Sequence, residues 1–241
     1  MVDMGKVVGV VLLEADHSVE TLDLDDPFGW EAPPGLTPGF FGHPGAWPVP
    51  ALFAVARGAT AAASAEADPE AMRGVADAVA RLDGRCDVIV GGCGFFAWAW
   101  PVIDKPPATP TVLSGLDLLD VSLRATSLDV AVLSFSEPPA QRFVAAHQEG
   151  DRIRVLGISP AGDWPLIGRP DWATNPQWTL AGVEAGLRHV LDEAVRPGGG
   201  LEGIGGVVIE CTVLPQFRSV IREYTPAPIY EAGAFALSLL A

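Results

Sequence analysis

Short runs rich in Val, Ile and Leu recur along this chain, and a longer alanine- or leucine-rich stretch follows each one. The runs predict strands near 6–13, 50–57, 87–91, 110–113, 128–134, 152–158, 205–210 and 227–230. The intervening stretches predict helices near 68–83, 94–100, 114–125, 137–148, 177–195, 213–223 and 231–240. A strand without a polar face has to be covered on both sides. Such strands alternating with helices therefore require an α/β fold built on mostly parallel sheet. "DPEAMRGVADAVARL" is the clearest helix, with Asp68 as its cap, Pro69 in its first turn and Met72, Val75, Val79 and Leu82 as its apolar stripe. In "TLAGVEAGLRHVLDEAV" the stripe is Leu180, Val183, Leu187, Val190, Leu191 and Val195, Thr179 is the expected cap, and "PGGG" ends the helix.

Composition narrows the classes of function. A hydrophobic fraction of 49% against 19% charged residues in 241 residues suffices for a sizeable core, whether in one large domain or two small ones. The net charge of -15 repels phosphate backbones and anionic lipid, so neither nucleic acid nor a membrane is expected as a partner. The apolar run Val7–Leu13 is short and two acids follow it, so it reads as a first buried strand instead of a leader. With 3 cysteines, no CxxC and no Cys/His cluster, neither a disulfide framework nor a structural zinc site is expected, and free thiols point to a cytoplasmic setting.

Two irregular stretches stand apart. Asp23–Pro50 holds Trp30, Phe40, Phe41 and Trp47 among many Pro and Gly residues, and residues 159–178 are similar in character. Segments of that length and apolarity read as functional loops or lids, not linkers. "GGGLEG" formally matches a dinucleotide fingerprint, but it precedes a strand and cannot open a helix toward a pyrophosphate. Of the histidines, His147 and His189 fall on charged helix faces, while His17 and His43 lie where ligand contact is open to them.

The three thiols fall into two kinds of context. Cys86 precedes a strand and reads as a small, partly buried hydrophobe. Cys93 in "DVIVGGCGFF" and Cys211 in "VVIECTVLP" share one context, each following a strand and leading into a helix. In a parallel sheet the ligand crevice lies beyond the carboxyl ends of the strands, and a helix N-terminus favours thiolate over thiol. These features alone leave open two core cysteines or a reactive pair.

"VGGCGFF" together with "VVIECTVLP" resembles the two cysteine motifs of the aspartate/glutamate racemase superfamily, whose members include hydantoin racemases, maleate isomerases and arylmalonate decarboxylases. "GFFGHPGAWPVP" is similar to a segment of a less characterised branch of it. The resemblance spans most of the chain, with Cys211–Thr212 its most specific piece. It implies two pseudo-symmetric flavodoxin-like α/β lobes with parallel sheets and the active site between them. Residues 1–113 with 214–241 would form the lobe bearing Cys93, and residues 114–213 the lobe bearing Cys211. It also implies chemistry without PLP, metal or other cofactor on a small-molecule substrate, and leaves a homodimer open.

The implied activity is a cofactor-independent racemase or epimerase of a small carboxylate, amino acid or hydantoin-like compound. One thiolate removes the proton from a substrate carbon and the opposite thiol returns one. Gly94, Phe95, Thr212, Ser114 and His43 are the expected substrate-binding residues, the amides of Gly94, Phe95 and Thr212 serving the developing oxyanion. The aromatic loop around His43 and Trp47 would cover the site. Glutamate racemases carry polar residues after the first cysteine and a histidine two residues after the second. Gly94, Phe95, Phe96 and Val213 at these places imply a less polar pocket. A decarboxylase, a cis–trans isomerase and a non-catalytic ligand-binding cleft are the alternatives, and Glu210 is read equally as a pocket group or a strand-end charge.

Overall fold

The computed structural model describes residues 5–14, 40–158 and 180–241. Its strands and α-helices run in the order β1 (Val8–Leu13), β2 (Ala51–Ala56), α1 (Ala61–Ala65), α2 (Pro69–Leu82), β3 (Val88–Gly91), β4 (Thr111–Val112), α3 (Leu119–Arg124), β5 (Val130–Ser134), α4 (Glu137–Ala145), β6 (Ile153–Gly157), α5 (Leu180–Ala194), β7 (Gly206–Ile209), α6 (Arg218–Tyr224), β8 (Ile229–Glu231) and α7 (Ala232–Ser238). They build two four-stranded sheets with strand orders β2-β1-β3-β4 and β6-β5-β7-β8, and every pairing is parallel. The molecule is an α/β protein of two lobes, each sheet carrying helices on its faces.

The strands form where the sequence has no polar side to offer. Every residue of β3, β5 and β7 is buried, so each sheet contributes both faces to a core. In the first lobe one face packs Val11, Ala54 and Ile89 under Met72, Val75, Val79 and Leu82 of α2, the stripe read from the sequence. Asp68 caps that helix by accepting from the amides of Glu70 and Ala71. The opposite face packs Val8, Val10, Phe53 and Val90 against Ala232, Ala236 and Leu240 at the C-terminus. In the second lobe Val183, Leu187 and Leu191 of α5 lie on one face of the sheet, while Leu119 and Leu123 of α3 lie on the other. Val195, expected in the α5 stripe, is 45% exposed because the helix ends at Ala194 before the stripe reaches it. Thr179, expected to cap α5, lies outside the described residues.

The chain crosses between the lobes differently from the sequence reading. Leu214, Phe217, Val220, Ile221 and Ile229 share the core that holds Cys211, so the stretch after residue 213 begins inside the second lobe. Only α7 returns to cover the first sheet. The expected boundary at 213/214 therefore falls about one strand too early, because β8 completes the second sheet before the chain leaves it. The 94–100 helix is present as a 3-10 helix over Gly94–Val102 with Pro101 inside it.

Candidate active site

β3 and β7 are the third strands in chain order of their sheets, and both end in the same way. Gly92 donates its amide to Val11 O at 2.7 Å, and Glu210 donates its amide to Leu133 O at 2.9 Å. The next residue in each lobe is the cysteine, Cys93 or Cys211. Lower down the same strands, Ile89 N donates to Pro110 O and Val207 N to Pro228 O, both at 2.8 Å. The repeated geometry carries each thiol just past the carboxyl edge of its own sheet.

Beyond that edge the two turns meet. Thr212 Oγ1 donates to Gly92 O at 2.8 Å, tying the Cys211 turn to the Cys93 turn. In the other direction Glu210 reaches the Cys93 turn. A Cβ on Gly94 would lie 2.0 Å from Glu210 Oε1 and 2.2 Å from Glu210 O, so the carboxyl occupies the space a side chain at 94 would need. Gly115 seals the seam from below, since a Cβ there would lie 1.9 Å from Ile209 O.

Both thiols are buried, Cys93 at 7% and Cys211 at 8% exposure, and Glu210 beside them is at 2%. Amides of Phe95 and Phe96 hydrogen-bond the Cys93 sulfur, and those of Val213 and Leu214 serve Cys211 in the same way. These donors favour thiolate, yet burial first and the Glu210 charge second push both thiols well above the usual cysteine range. The negative charge of Cys93 raises Cys211 further. Burial likewise pushes the Glu210 carboxyl up to about 7, against a 2.7 Å hydrogen bond from Ser134 Oγ to its Oε2 and one from the Phe135 amide. Three titratable groups thus share one closed seam, and each ionisation there opposes the others. Cys86 stands apart, donating to Leu82 O at 3.4 Å and pushed up to about 12 by burial.

The chain superposes on an aspartate racemase of Picrophilus torridus with a TM-score of 0.52, covering 98% of this chain and 93% of that one at 12% identity. The fold is that of an aspartate racemase. In sequence, the chain is 24% identical over 247 residues to dimethylsulfoniopropionate lyase 6 of Emiliania huxleyi (strain CCMP1516), covering 95% of this chain and 61% of the lyase. It is 26% identical over 208 residues to a dimethylsulfoniopropionate lyase of Durusdinium sp. clade D, covering 81% of this chain and 66% of that one. The chain thus spans somewhat under two thirds of the length of these curated relatives. No family model matches it.

On this racemase fold the other residues singled out in the sequence occupy distinct places. Phe95 is fully buried in the first-lobe core, and its amide faces the Cys93 sulfur in place of an open cleft. Thr212 gives its hydroxyl proton to Gly92. Ser114 is fully buried and caps the 3-10 helix Gly115–Leu118, its Oγ accepting from the Leu116 amide while Asp117 accepts from the Ser114 amide. Its place is the neck between the lobes. His43 caps the short turn Pro44–Ala46, with Nδ1 accepting from Gly45 N. The neighbouring rings of Phe41 and Trp47 meet edge-on at 5.0 Å and pack under α7, on the sheet face opposite the cluster that holds Cys93. These two rings are core residues where a cover was expected, and residues 23–39 of that loop lie outside the described residues. Ser134 and Gly92 carried no sequence signal. Glu210 carried a faint one, as a lone acid closing the apolar run "VVI".

Proposed function

We propose that Cys93 and Cys211 are the acid/base pair of a cofactor-independent racemase or epimerase acting at a carbon next to the carboxylate or carbonyl of a small molecule. The observation that carries the reading is the duplicated strand end, which brings one buried thiol from each lobe to a shared seam. One sulfur, as thiolate, takes the hydrogen from one face of the carbon. The electron pair moves onto the adjoining carbonyl, and the other thiol protonates the opposite face. Exchanging the two roles serves the other enantiomer. The lack of polar side chains at Gly94, Phe95 and Phe96 after Cys93 supports a substrate less polar than glutamate.

A second reading comes from the curated relatives, which are named as lyases. After the same proton abstraction, a leaving group on the next carbon departs with its bonding electrons, leaving an unsaturated acid. This route needs one thiol as base, so it makes less use of the duplicated thiol. Raised thiols also suit an inert binding cleft, and likeness to proteins named as lyases supports an enzyme over that alternative.

The test is a panel of small chiral carboxylates, amides and hydantoins, together with dimethylsulfoniopropionate, incubated with the protein in deuterated water. Racemisation gives deuterium at the carbon with loss of optical rotation, and elimination gives an alkene. Cys93→Ser and Cys211→Ser should each lower racemisation by about 100-fold or more, the scale of a lost general acid or base. Full activity in both variants rejects the proposal.

A further inference from the structure

Glu210 has no equivalent in the first lobe. The residue at its place there is Gly92, where a Cβ would meet Val11 O at 2.8 Å, and the strand-end residue matching Ser134 is Leu12. The duplication is therefore broken at one point, by a carboxyl and the hydroxyl that holds it. That carboxyl crosses from the second lobe to lie on Gly94, the residue after Cys93, while its own chain neighbour is Cys211. Its charge thus acts on both thiols.

Other titratable groups on the surrounding elements are committed elsewhere. Asp117, beside Gly115, accepts from Trp100 Nε1 and from the amides of Leu113 and Ser114. Glu231, across from Ile209 on β8, pairs through Oε1 with Arg218 at 3.1 Å, while its Oε2 is buried with no hydrogen-bond partner among the described residues. Glu137, which packs on Gly157, accepts from Gln141. The charge that raises both thiols is that of Glu210, with Cys93 adding to it at Cys211.

We propose that Glu210 is a positioning residue that confines the seam to a single negative charge, taking up the proton of whichever thiol ionises. At rest the charge sits on the carboxylate and both sulfurs are protonated. When a thiolate forms, the S–H bond of Cys93 or Cys211 breaks and an O–H bond forms on Glu210. Net charge is unchanged and no outside base is needed. A neutral Glu210 removes the repulsion that opposes the new thiolate, while the second thiol stays protonated as the acid. This inference rests on the acid/base reading of the two thiols.

The test follows the Cβ NMR signals of isotope-labelled cysteine in the full chain as pH is raised, which needs neither substrate nor reagent access. In the wild-type protein both Cys93 and Cys211 should report a step near 7, the pH at which burial places Glu210. In Glu210→Gln that step should vanish, and the thiol midpoints should fall by about one unit or more once the neighbouring charge is gone. Ser134→Ala removes a hydrogen bond that favours the carboxylate, so its step should move upward while the protein keeps all three groups. On any substrate that exchanges, the acidic limb of the rate profile should follow the same shifts. A step that persists in Glu210→Gln, or thiol midpoints that do not move, overturns the inference. Loss of exchange in the two serine variants alongside either result would leave the acid/base reading standing.

Discussion

Gly94 lacks a side chain because a carboxyl from the other lobe fills the space. Gly94→Ala should destabilise the fold by about 1–3 kcal/mol, the range for forcing volume into a packed region, and urea unfolding reads the loss. Thr212→Val removes the donor to Gly92 O and leaves that carbonyl short of a partner, costing about 1–3 kcal/mol in the same measurement. Which residues were legible in the sequence follows from where their partners lie. Cys93 and Cys211 could be found because each sits at the end of an apolar run, a purely local signal. Glu210 looks the same in sequence whether solvated or buried, and what fixes it is Ser134, 76 residues away in the chain. Ser114 read as a ligand-contact candidate, although Asp117 three residues on supplies the other half of a capping box, which is also a local pattern.

At the scale of elements, α2 shows how a local signal and tertiary packing agree. Its cap, Pro69 and its stripe all point to a helix, and the structure buries that stripe against the first sheet. Asp68→Ala should lower stability by about 1 kcal/mol through two orphaned amides, while the thiol titrations stay unmoved because Asp68 sits at the opposite end of α2 from Leu82 and its charge acts on neither thiol. All eight strands were visible as short runs rich in apolar residues, β6 despite Arg154 inside it, with ends displaced by a residue or two where hydrogen bonding stops before hydropathy does. α1 escaped notice. Its five residues are alanine and serine, without a stripe, and the Thr60 cap defines the helix. The segment after Cys93 has apolar residues on every side, so periodicity could not tell α from 3-10 geometry there.

At the scale of the whole molecule, the two lobes repeat one strand order and differ in the group held at their seam. Trp98 meets Phe143 edge-on at 4.9 Å, and Arg142 donates to Ala65 O at 2.9 Å, so helical segments of the two lobes also meet away from the thiols. Glu210 couples the stability of this assembly to pH. Its carboxyl is raised from its ordinary 4.5 to about 7, so between those values the folded state holds a proton that the unfolded state has released. Stability therefore falls as pH rises through that window, by about 3 kcal/mol for this one group, and Glu210→Gln should flatten that part of a urea-midpoint profile. The doubled α/β architecture was legible in the alternation of strands and helices. The return of the chain to the first sheet was not, because nothing local marks β8 as belonging with β7 instead of with the helix that follows it.

Racemisation by this pair requires two sulfurs addressing opposite faces of one carbon. The most direct measurement is solvent deuterium incorporation into each separate enantiomer of a substrate by Cys93→Ser and by Cys211→Ser. Two facing thiols predict complementary losses, each variant still exchanging one enantiomer while the other's exchange is abolished. Variants that exchange both enantiomers equally, or that share the same preference, would contradict it.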